Sequence, residues 1–225
     1  MAYSKGVTKE EFITEIKKHQ QLDNFRQKFY FKESKGCAVG CSIESLRMLK
    51  NLKYLDHSNH NLYEEYLGIP RWLAHLEDKI FEMLSIDKSK EWPLEFSEAI
   101  NTGSNLDQIK IPFLVYLLEQ NINNLKQQSK CDDKYIIEKV IEVNKQVITA
   151  LKSGDEQLME EARSATFSHP ASPAYPAYAA AYEAAYDAVD AATYAATYAA
   201  TSAVDKAYTI EKYKNKLLEL IRDCK

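Results

Sequence analysis

The chain has 225 residues, of which 45% are apolar and 28% charged, and its net charge is −4. That composition is globular and long enough to bury one large core or two small ones, so it excludes global disorder. It also lacks the basic excess of a dedicated nucleic-acid binder and any run of ~20 apolar residues, so neither a nucleic-acid partner nor a membrane is expected.

Residues 1–20, MAYSKGVTKEEFITEIKKHQ, hold no apolar signal core, and the expected location is cytoplasmic. Cys37, Cys41, Cys131 and Cys224 are then reduced thiols. Thr8 followed by Glu11 is a capping-box pattern, and Phe12, Ile13, Ile16, Leu22 and Phe25 share one helical face. The spacing predicts a first helix from about Thr8 to Tyr30, with FYF (29–31) the sole strand candidate. CAVGCSIESLRMLKNL resumes the helical period, and HNLYEEYL reads as a short helix ended by Gly68. Pro70 opens PRWLAHLEDKIFEML, Pro93 is expected to open PLEFSEAI, and Pro112 opens PFLVYLLEQNINNLKQQ. DDKYIIEKVIEVNKQVITALKSG and DEQLMEEARSATF complete the ordinary helices.

The expected fold class is all-α. A compact N-terminal helical domain, 1–128, precedes a C-terminal extension, 129–225, packed as a helical hairpin or bundle. A proline-rich linker (168–176) leads into an Ala/Tyr-repeat helix (176–223). There Tyr178, Tyr182, Tyr186, Tyr194 and Tyr198 step by fours, with Asp190 in the missing place. Each step advances ~400°, so the tyrosines form a slow spiral over an alanine rod. Such a rod suits close packing on the 132–153 helix, and its Tyr face offers a docking surface for a protein partner or for self-association.

Three residue pairs at i, i+4 spacing can carry chemistry: His19 with Asp23, Cys37 with Cys41, and His60 with Glu64. Two thiols in one turn with outside imidazoles and carboxylates are a donor set for zinc or another thiophilic divalent metal. The plainer reading is tight packing of small buried cysteines. A third reading is a reactive thiol at a helix N-terminus. Glu77, Asp78 and Glu82 in LEDKIFE, with Lys79 beside them, read as a solvated face. His75 reads as a polar-face residue and His169 as solvated. Nothing matches a phosphate-binding glycine loop, a nucleophile elbow or a His-Glu-x-x-His helix.

The order GCAVGCS, LYEEYLGIPRWLAHLEDKIFEML, WPLEFSEAI and LDQIKIPFLVYLL, ending in an Ala-rich, aromatic-punctuated helix, resembles a group of uncharacterised bacterial and phage-borne proteins over about residues 8–225. The resemblance implies an architecture rather than an activity. It implies a histidine before the LGIP segment acting with Cys37 and Cys41, a place that His60 takes. The insert LRMLKNLKYLDHSN leaves His57 as the competing choice. It also implies that the Ala/Tyr region tolerates varied simple repeats. The first functional expectation is a non-enzymatic helical interaction or scaffold protein. The alternative is a small metal-dependent enzyme or metal/thiol sensor with a Cys/His/carboxylate site in the N-terminal domain.

Overall fold

The computed structural model describes residues 1–128, 134–167 and 203–225, which form an all-α fold interrupted by one two-stranded hairpin. Helix α1 (Lys9–Gln21) starts at the predicted capping box. The Glu11 N–H donates to Thr8 Oγ1 at 3.2 Å, and the Thr8 N–H donates back to Glu11 Oε2 at 2.9 Å. The helix ends at Gln21, not near Tyr30. Asp23 takes a left-handed φ of 52°, and the chain turns so that the Arg26 N–H reaches the Gly36 carbonyl at 2.7 Å.

Strands β1 (Phe31–Lys32) and β2 (Lys35–Gly36) then pair antiparallel across Glu33 and Ser34, both with positive φ. That is the backbone a two-residue hairpin turn needs. Helix α2 (Ala38–Leu49) follows, capped by Cys37. A π-helical turn (Tyr63–Leu67) ends at Gly68, whose φ of 68° is left-handed. Helix α3 (Arg71–Met83) begins after Pro70, as predicted.

Helix α4 runs Ile86–Ala99, so Pro93 lies inside it and does not open it. Ser85, in extended conformation, is the true start. A prolyl nitrogen cannot bond the carbonyl four residues back, but the helix survives because Trp92, Pro93 and Phe96 bury one face. A 3₁₀ turn (Leu106–Ile109) precedes α5 (Lys110–Gln128), then α6 (Lys134–Ser153), α7 (Glu156–Phe167) and α8 (Ala203–Asp223).

The chain divides into two compact units, Met1–Ile109 with Ile210–Lys225, and Lys110–Thr209. In the first, α1 packs on α2 and α4, and α3 packs on α2 and α4. Phe12, Trp72, Phe81, Trp92 and Phe96 are fully buried there, each contributing about 1.5–3 kcal/mol by removal from water. The chain's end returns to this unit. Lys214 Nζ pairs with Glu95 Oε2 at 2.7 Å, and Asn101 Nδ2 donates to the Arg222 and Cys224 carbonyls at 3.0 and 3.1 Å. By its contacts the first unit therefore groups Met1–Ile109 with the C-terminal residues Ile210–Lys225.

In the second unit α5 packs on α6 and α6 on α7. Leu125, Ile137 and Val140 form its core, and Asn121 Nδ2 donates to Asn144 Oδ1 at 3.2 Å. The proline-rich linker, the Tyr stripe of the Ala/Tyr helix with its hairpin on 132–153, Cys131 and His169 lie outside the described residues. Among the described residues no helix is long and apolar enough to cross a membrane.

Candidate metal centre

Two glycines build the site by letting a backbone come close. A Cβ on Gly36 would lie 1.9 Å from the Tyr30 carbonyl oxygen, and a Cβ on Gly40 would lie 1.6 Å from it. Only hydrogen at both positions admits that carbonyl over the first turn of α2. The Cys37 N–H then donates to both the Phe29 and Tyr30 carbonyls, at 3.0 and 3.1 Å. Cys37 caps α2 in extended conformation, its Sγ accepting from the Gly40 N–H at 3.4 Å. On the other side, the Lys28 N–H donates to both oxygens of Glu82, at 3.0 and 2.9 Å. Lys28 holds a left-handed φ of 83° in that position. The 28–30 segment is thus stitched between α2 and α3.

On α3, Asp78 and Glu82 are one turn apart and share a face. Cys37 Sγ and one oxygen from each carboxylate all lie within 4.8 Å of one another. Among the described residues this is the group of three that can share one ion. The same three residues, with Lys28, Phe29 and Tyr30, line an open cleft of about 230 Å³.

His60 stands beside the trio and is 4% exposed. Its ring stacks on His75 at 3.8 Å between centroids and 7° between planes, and Tyr30 meets it edge-on. Nδ1 lies 2.9 Å from the Ser58 carbonyl, which fixes the proton on that nitrogen in the neutral ring. Nε2 is therefore a lone pair. It lies 3.6 Å from Asp78 Oδ2 and, like Asp78 Oδ1, has no hydrogen-bond partner. Behind these groups Tyr63 and Glu77 are almost wholly buried, and the Tyr63 hydroxyl interacts with Glu77 and Ser42.

The electrostatics follow from burial of acids together. Desolvation, reinforced by Asp78, pushes the Cys37 thiol far up. Burial also raises Glu82, against the opposing Lys28 N–H, and pushes Glu77 up to about 8. Three groups that would all be anions as ligands stand together, with Lys28 and Lys79 partly opposing the rise at Glu82.

The six residues singled out in the sequence do not converge. Cys37 and His60 come to this site. Cys41 lies one turn on, its Sγ 3.5 Å from the Gly36 carbonyl and 3.9 Å from that of Asn24. His19 Nδ1 accepts from the Asn24 amide at 3.3 Å, and burial lowers its affinity for a proton. Asp23 is held by Arg26 and Lys90, each at 2.7 Å, which keep its carboxyl well below the usual range. Glu64 is exposed on the π-helical turn. His57 is tied to Glu44 at 3.0 Å and stacks on Phe31, so His60 is the histidine beside Cys37's cluster.

The sequence reading of Glu77, Asp78 and Glu82 as a solvated face is corrected here. Glu77 is 1% exposed, and Asp78 and Glu82 are half-buried. The signal was present: Glu77 is four residues from both Leu73 and Phe81, inside the apolar stripe of α3. The chain matches no protein-family model, no curated protein and no solved structure.

Proposed function

We propose that the N-terminal unit is a metal-binding unit that holds one thiophilic divalent cation, of the zinc class, through Cys37, Asp78 and Glu82. The observation that carries this is the convergence of one thiol and two carboxylates within 4.8 Å at a half-buried position. A divalent cation offsets most of the trio's charge and stabilises the thiolate that burial disfavours. Mixed sulfur and oxygen donors suit zinc and its neighbours better than calcium or magnesium. His60 braces Asp78. Its buried Nε2 lies 3.6 Å from Asp78 Oδ2, so the ring limits where that carboxylate can turn.

Elemental analysis of protein purified without a metal-affinity tag tests this reading. About one equivalent of zinc per chain is expected, lost in Cys37→Ser and in Glu82→Gln. Metal-free protein that also takes up none on dialysis against Zn²⁺ contradicts the proposal, as does Cys37→Ser that keeps a full equivalent.

A further inference from the structure

We infer that this centre is open: its free coordination position faces the cleft beneath Phe29 and Tyr30 and takes a small monoanion with a flat apolar body, of the aryl carboxylate kind. The inference rests on the metal reading above and deepens it.

A closed structural site surrounds its ion with four protein donors, whereas a site that works on a ligand supplies three and leaves one position free. Here three donors converge, and no fourth His, Cys, Asp or Glu among the described residues joins them. His60 reaches only Asp78. The side of the trio not covered by protein is the cleft itself, because Cys37, Asp78 and Glu82 form part of its wall. Its volume of about 230 Å³ is below the range of drug-sized pockets. It equals roughly eight waters' worth of liquid, enough for a ligand of one small ring.

The rim sets the chemistry. Phe29 and Tyr30 are 44% and 40% exposed, although the backbone beneath them is pinned by Cys37 and by the two glycines. Fixed, half-exposed aromatic faces at a cleft mouth suit a flat apolar body. The charge balance suits an anion. Lys28 and Lys79 both act on Glu82, so a divalent cation with these two ammonium groups outweighs three anionic ligands. The first turn of α2 adds its positive end at Cys37.

The test uses the full chain loaded with Co²⁺, whose visible spectrum reports its own coordination, titrated with benzoate and with acetate. Both should change the spectrum saturably, benzoate about tenfold more tightly because the ring buries against Phe29 and Tyr30. Lys28→Ala should weaken both anions by about fivefold relative to the Co²⁺ affinity of the same variant, and Phe29→Ala should remove most of the preference for benzoate. Co²⁺ that binds stoichiometrically but shows no spectral response to either anion means a closed centre. That result overturns this inference and leaves the metal reading intact. Saturable binding of methylammonium in place of the carboxylates overturns the anion assignment. Failure to bind Co²⁺ at all removes the metal reading and this inference with it.

Discussion

Cys37 and Cys41 sit one helical turn apart at the start of α2, both buried, and each has a histidine close by, yet their surroundings are opposite in kind. Around Cys41 the polar groups are matched. The thiol faces two backbone carbonyls, His19 is paired with Asn24, and Glu44 is gripped by Arg47 at 2.7 and 2.8 Å and by His57. Around Cys37 they are not. Two carboxylates crowd the thiol, and His60 Nε2 and Asp78 Oδ1 are buried without hydrogen-bond partners. Buried polar groups are ordinarily satisfied, and those that are not call for an explanation. The contrast is between a thiol whose polar neighbours are paired and a thiol crowded by two carboxylates.

The sharpest way to break this contrast is to remove each thiol in turn. Cys37→Ser should lower Zn²⁺ affinity by about 100-fold or more, read by competition with a chromophoric chelator, because one of three donors is lost. Cys41→Ala should leave the affinity within about threefold. Equal losses would show that the two environments are not different in function.

The next largest effect concerns the backbone that separates the two sites. In an exposed helix Gly→Ala stabilises by about 1 kcal/mol. Gly40→Ala should instead destabilise by about 1–3 kcal/mol in urea unfolding, since the new methyl meets the Tyr30 carbonyl. A stabilised variant would mean that the 28–30 segment is not held over α2. Smaller again is His60→Gln, which should lower Zn²⁺ affinity by about tenfold without changing metal-free stability, whereas His57→Gln should leave affinity unchanged.

The smallest effect belongs to the matched side. Burial lowers the folded-state proton affinity of His19, so between its folded value and the unfolded value of about 6.5 the unfolded chain binds more protons. Stability is therefore fully present above pH ~6.5 and is lost as pH falls below it. His19→Gln should flatten that part of the stability–pH curve. An unchanged slope in urea melts at pH 5 and pH 7 would assign the dependence to another group.

The helices were legible because their signals are local. The Thr8–Glu11 box, Pro70 before α3 and the apolar spacing of α6 each act within a turn or two. Tyr30 was misread because nothing nearby says that α1 stops. The stop comes from Asp23's left-handed backbone and from Gly36, more than ten residues away in sequence. Pro93 was misread because its preference for first turns is statistical, while the packing of Trp92 and Phe96 is specific to this fold. Half of the site was legible too. Cys37 and His60 announced themselves by residue type. Asp78 and Glu82 did not, because a carboxylate beside a lysine on a helix looks solvated until the segment that covers it is in place. Glu77 alone betrayed that face by sitting within the apolar stripe.

X-ray absorption at the zinc edge of the loaded full-length chain tests the central claim most directly. The account predicts one sulfur at about 2.3 Å and the remaining scatterers oxygen at about 2.0–2.2 Å, with the sulfur lost in Cys37→Ser. Two sulfurs would bring Cys41 into the centre, and a sulfur-free shell would put Cys37 outside it; either result contradicts the account.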